Sequence, residues 1–406
     1  MYYKKYNIFI FVSLILIFGF SCSEAGQNKS NKSEKKTKKT RGNGAFSIDS
    51  LVKYGLYLSL PDTSFERISK KRNEAIDKEI LFKSKSDYVD GKLFCNDKEL
   101  IVRARLKGDN IDHLKGSFWS FRIKCNEKGK YIAGHNKISI QGVETRAFLK
   151  EWVFHKLLER ENIIGLQYDF LAFCVNDTLC GTYAIESHFD NYLLQLSKRP
   201  NGPIFKIDES GFWKQTYNKT LKNQDSILRS AEILICNKKW AKKNKETTNK
   251  ATNLLTNYLN GKKDAEEVFN LPVWARFIAV SELMGSPHNL RWHNLRFYFN
   301  PEIQKIEPIG FDNGTWLESK NIYFLNKPET FYRNMLHNPS FKRELITHAK
   351  RLGESSYMEE FYDEYWDEII KYQKIIRKSY PKYTFWKEHF QTSQKRIRAE
   401  LDLLKP

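Results

Sequence analysis

Hydrophobic and polar positions alternate along much of the first half of the chain. In "KELIVRARLKGDN", "FWSFRIKCN", "HNKISIQG" and "DFLAFCVNDTLCGTYAIESHF" apolar residues recur at every second position, enriched in β-branched and aromatic types and bounded by Asn, Asp and Gly. That is the period of half-buried strands, so residues 48–190 read as a β-rich lobe. One helix interrupts them. In "TRAFLKEWVFHKLLERENI" the apolar positions, Phe148, Trp152, Leu157 and Leu158 among them, repeat with the helical period instead.

The second half carries the helical period more often. Residues 212–263 are rich in Lys, Asn and Thr and read as a solvated insertion with amphipathic helices around 226–241 and 247–260. "AEEVFNLPVWARFIAVSELMG" predicts a buried helix, and residues 357–404 predict helix again, broken at Pro381. The aromatic residues Tyr357, Phe361, Tyr365, Trp366 and Tyr372 are simplest as its packing face. Between these helices, "LRFYF" and "KIEPIGF" form a hairpin turned at Asn300 and Pro301, with His288, Arg291, His293 and Asn294 before it and Asp312 after it. Residues 191–406 therefore read as a mainly helical lobe with the insertion 212–263.

The N-terminus departs from both periods. "MYYKK" precedes an apolar run from Ile8 to Phe20 and then "SCSEAG", the layout of an export signal, with a run too short to span a bilayer. Ser21 before Cys22 resembles a bacterial lipoprotein signal, which predicts removal of residues 1–21 and lipidation of Cys22. An ordinary signal peptide or an uncleaved anchor is the other reading. Residues 22–47 are polar and basic without periodicity, a disordered tether whose lysines can lie on anionic headgroups. The expected location is the bacterial cell envelope, lipid-anchored, on the periplasmic side or at the cell surface.

Charge sharpens the list of partners. The formal net charge is +20, and residues 1–47 hold nine Lys/Arg against two Glu, so +13 belongs to the folded part. A basic globular domain suits nucleic acid, an anionic membrane face or a phosphorylated small molecule. No zinc-finger spacing, RNP-like strand or helical basic stripe is present, which points away from nucleic acid. Of the six cysteines, five remain beyond Cys22, so a complete disulfide framework is excluded. Cys174 and Cys180 flank "VNDTL" closely enough to pair across a hairpin in an oxidising compartment.

The order of "VRARLKGDNIDHLKGSFWSFRIKC", "CGTYAIESHFD", "GPIFKIDES" and "HNLRFYF…IEPIGFDNG" resembles the CotH kinase family over roughly residues 85–320. The resemblance implies an α+β fold of the two-lobed atypical protein-kinase kind, with a β-rich N-terminal lobe and a mainly helical C-terminal lobe. It further implies ATP and Mg2+ in the cleft between them, and phosphoryl transfer to Ser/Thr hydroxyls of an envelope protein.

Phosphoryl transfer needs cations around the phosphates, a group to hold magnesium and a proton acceptor. Lys124, alternating with Arg122 on one strand face, can reach a phosphate, with Arg105 and Lys107 as rivals for the role. By the family pattern Glu186 pairs with the phosphate-binding lysine. Lys206 lies in an apolar strand, where a buried lysine needs a partner or a ligand. Asp312 ends the strand "IEPIGF" before a turn that exposes its carboxylate, and it resembles the family's metal-binding Asp; Asn294 matches the second magnesium ligand. The chain departs from the family in two places. His288 stands where the catalytic carboxylate is expected, and Gly314 replaces the second Asp of a paired motif. That leaves two readings: a modified site using His288 or His293 as base, or a non-catalytic pseudokinase that binds a nucleotide or another ligand.

Overall fold

In the computed structural model, residues 46–314 and 330–402 are described; the expected signal, Cys22 and most of the tether lie outside them. Strand β1 (Leu56–Ser59) is followed by the helix Asp62–Asp77 and then by β2 (Val89–Cys95), β3 (Lys98–Leu106), β4 (Phe121–Cys125) and β5 (Lys137–Gly142). After the helix Leu149–Arg160 come β6 (Ile164–Gly165), β7 (Tyr168–Val175) and β8 (Leu179–Glu186).

Seven of these strands close a barrel in the order β1-β2-β3-β4-β5-β8-β7, with β7 returning to pair in parallel with β1. One face of each strand fills the interior: Leu58, Leu93, Val102, Ala104, Phe121, Ile123, Ile138, Ile140, Phe173 and Ile185 are all buried there. The other face of β3, β4 and β5 carries Arg105, Arg122 and Lys137, with Lys107 following directly after β3. A disulfide joins Cys174 to Cys180 across the β7–β8 hairpin.

The rest of the chain builds a second sheet. Strands β9 (Ile204–Ile207), β10 (Ile233–Ile235), β11 (Arg296–Asn300) and β12 (Lys305–Gly310) join β6 in the order β10-β9-β11-β12-β6. Helices pack on it, above all Leu271–Leu283, which starts at Asn270-Leu271-Pro272 and is buried on nearly all sides. Trp152, Trp274, Phe297 and Phe299 anchor this second core.

The architecture corrects the expected fold. The two-lobed kinase-like arrangement calls for an N-terminal lobe built on a β-sheet and a mainly helical C-terminal lobe; the chain instead closes a seven-stranded barrel and adds a five-stranded mixed sheet. Alternation reports that a segment is a strand, not what it pairs with, and closure depends on β1 bonding to β2 and β7 at once. The segment 226–241 is also not one helix. Ile233–Ile235 forms a strand because it pairs with Ile207, Lys206 and Phe205 of β9, a tertiary gain that overrides local propensity. Among the described residues no helix is long and apolar enough to cross a membrane.

Candidate functional site

The barrel wall and the second sheet share a cavity of about 630 Å³. Its barrel side is set by strand register. Arg105 faces Arg122, Arg122 faces Ser139, and Ser139 faces Glu186, so four polar positions lie in one row. Lys107, just past the end of β3, extends its ammonium to Glu186 at 3.0 Å and also donates to Gln141. Glu186 additionally accepts from Ser139 at 3.0 Å and from Gln141 at 3.3 Å. Burial would raise its pKa, but Lys107, Arg122 and Arg146 outweigh burial and hold it ionised, below the usual range. Burial in turn lowers Lys107 to about 8. Gly108 follows with φ +105°, and a Cβ there would lie 2.5 Å from the His113 ring, so the chain can pass this closely only as glycine.

The opposite side is set by β12 and the turn after it. Asp312 has φ +59°, a conformation that Asp tolerates better than most residues. Its backbone N–H donates to Glu151 at 3.0 Å and that of Asn313 to the other Glu151 oxygen at 3.0 Å, so one fully buried glutamate fixes the turn. Contrary to the expectation from its Asp-Asn-Gly turn, the Asp312 carboxylate is buried, not exposed. Arg146 meets its Oδ2 at 2.9 Å and the His288 Nε2 approaches Oδ1 at 3.4 Å, a long contact with no better partner for that oxygen among the described residues. Burial opposes the charge, yet Arg146 and His288 hold the carboxyl well below the ordinary carboxylate range. Asn294 donates to the His288 carbonyl at 2.9 Å.

The cavity thus brings together Arg105, Lys107, Lys206, His288, Asn294 and Asp312, with Glu186 behind Lys107. Lys206 is paired with Glu209 at 2.7 Å. Two residues fall elsewhere. Lys124 is exposed on β4 outside the lining, and the partner of Glu186 is Lys107. His293 is buried, stacked on Phe212 with centroids 4.5 Å apart, and burial lowers it to about 4, so it stays neutral. It packs the wall and does not line the cavity. Arg146, Glu151, Lys137 and His188 were not singled out from the sequence, and Arg122 was named there only as the residue alternating with Lys124.

His288 and Gly314, the two departures from the family pattern, prove to be one feature. Gly314 has φ +83°, and a Cβ there would lie 2.8 Å from the Cβ of His288. A side chain at 314 and the histidine in this pose exclude one another. Asp312 faces the Nε2 nitrogen of His288, which favours a proton there and leaves Nδ1 with the lone pair that accepting a proton requires.

Among the described residues no group of three His, Cys, Asp or Glu could hold a metal. Magnesium needs less, since it usually keeps waters and takes one or two protein ligands beside substrate phosphates. Asp312 with its unsatisfied Oδ1, and Asn294 on the same cavity, meet that smaller requirement. Compared with known proteins, the chain matches no family model and no curated sequence.

Proposed function

We propose that the protein is an exported, lipid-anchored phosphotransferase that binds ATP with Mg2+ in this cavity and phosphorylates Ser/Thr hydroxyls of an envelope protein. The observation that carries the reading is the convergence on one cavity of a lysine fixed by a buried glutamate and a histidine oriented by a buried aspartate. The reading rests on these side chains and their likeness to the CotH kinase pattern, and not on a kinase fold, because chemistry of this kind is carried by sites and not by folds. Lys107, held rigid by Glu186 and Gln141, offers a fixed positive charge to phosphate oxygens. Asp312 and Asn294 would hold magnesium arriving with the nucleotide, which supplies charge neutralisation. His288, with its side chain 43% exposed, is the group able to take the proton of an incoming hydroxyl. The disulfide between Cys174 and Cys180 supports export, since such bonds persist in oxidising compartments.

Transfer of the terminal phosphate from ATP to a hydroxyl-rich protein or peptide tests the reading. His288→Ala should lower the rate by about 10²–10⁴, the usual contribution of a positioned base, with ATP affinity little changed. A second reading, non-catalytic nucleotide or ligand binding, is favoured by the Arg146 contact that occupies one oxygen of Asp312. It replaces the first if the wild type binds ATP yet transfers no phosphate.

A further inference from the structure

The cavity is lined by more cations than carboxylates, and the cations without a carboxylate partner lie in one place. Lys83, Lys107, Arg146 and Lys206 each have a carboxylate partner, in Asp109, Glu186, Asp312 and Glu209. Arg105, Arg122 and Lys137 also line the cavity, and among the described residues none of them has a carboxylate within ion-pairing distance. Arg105 donates to the neighbouring Leu106 carbonyl and lies over the Tyr88 ring. Among the described residues a buried nitrogen of Arg122, Nη1, has no hydrogen-bond partner, and neither has Nδ1 of His188 on the same lining.

The register gives the group its position. Lys107 and Gln141 mark the row nearest Asp312, Arg105 and Arg122 the next row, and Lys137 lies opposite Lys124 one row further on. Four residues separate Gln141 from Lys137, about 13 Å along an extended strand. The cluster therefore reaches well beyond the Lys107 end. Arg122 and Lys137 are partly withdrawn from water beside like charges: burial and the adjacent arginines lower Lys137 to about 8, and burial lowers Arg122 although the charge of Glu186 opposes it. An anion seated among them would relieve that cost, and two guanidinium groups beside an ammonium suit the oxygens of a phosphate.

We infer that Arg105, Arg122 and Lys137 form a second anion subsite, so that beside ATP the cavity favours a small molecule bearing two separated phosphate groups. One group occupies the Lys107 and Arg146 end and the other this cluster. The inference rests on the phosphate-binding reading of the cavity.

The test compares three probes on the full chain by calorimetry: ATP, AMP and adenosine 3′,5′-bisphosphate. The bisphosphate should bind at least tenfold more tightly than AMP. Lys137→Gln should reduce that advantage to less than threefold, and Lys137→Arg, which keeps the charge, should retain it. If ATP binds but the bisphosphate has no advantage over AMP, the second subsite is refuted and phosphate binding stands. If Lys137→Gln weakens AMP and the bisphosphate equally, the subsite is likewise refuted. Should none of the three probes bind, both the subsite and the phosphate-binding reading fall. Melting curves of the two Lys137 variants, which change only a partly exposed side chain, check that binding is read on folded protein.

Discussion

Two buried carboxylates flank the cavity and are held in opposite ways. Both oxygens of Glu186 are engaged, by Lys107 and Ser139 on one and by Gln141 on the other. Asp312 is engaged firmly on one oxygen only, by Arg146, while the other has the distant His288 as its nearest partner. A carboxylate with its lone pairs filled keeps its neighbours in position and has nothing further to offer. One with an open oxygen can meet a proton carrier or an arriving cation. The barrel thus supplies the fixed wall of the cavity, and the turn after β12 supplies the carboxylate with an oxygen left open.

The largest expected departure comes from breaking the fixed wall. Glu186→Ala leaves the Lys107 ammonium buried without its counter-charge, which typically costs about 3–5 kcal/mol. Denaturant unfolding should show that loss. Asp312→Asn, which keeps the shape and leaves Arg146 near Glu151 and Glu186, should cost clearly less while weakening magnesium-dependent nucleotide binding. If the two variants lose equal stability, the division between a fixed and an open carboxylate is wrong.

Gly314→Ala addresses the open side alone. A left-handed φ costs an L-residue about 1–2 kcal/mol, and the new Cβ would displace His288. Phosphotransfer should fall further than stability does. Equal small losses in both would show that His288 has room to spare.

The smallest effect is a pH dependence. Lys137 lies among Arg105, Arg122 and Lys124, with the Cys236 thiol held neutral nearby because burial raises its pKa. Since Lys137 is lowered to about 8, it is charged below that pH and neutral above it. Affinity for the bisphosphate should therefore decline as pH rises through about 8, by less than about tenfold, because one partly exposed charge contributes roughly 1 kcal/mol. Lys107, also lowered to about 8, titrates in the same window. The part of the slope belonging to Lys137 is the part that Lys137→Arg removes.

Alternation in the sequence was enough to recognise β3, β4, β5, β7 and β8 as strands, and the hairpin ending at Asp312 was legible from its turn residues. What it concealed was the use of the polar half of the alternation. Arg122 and Lys137 occupy positions that ordinarily face water, yet here they face a cavity, and only the neighbouring sheet makes that difference. Glu151 escaped for another reason. It sits in a helix buried on nearly every side, with Lys150 and Glu151 both fully covered, so no polar stripe set it apart. Arg146 lies in a single short turn, Val143–Arg146, too brief to have a period.

The parallel pairing of β1 with β7 governs the order in which the molecule can be made. Leu56 finds Phe173, and Leu58 finds Val175, only after all the intervening strands have been synthesised. Contacts between such distant residues form late, because closing a long loop is entropically expensive before it is rewarded. Until then β1 presents an unpaired edge, the surface by which immature chains stick to one another. A growing or translocating chain must be kept from aggregating until β7 and β8 arrive, so assembly of the barrel completes after emergence of its last hairpin and not strand by strand.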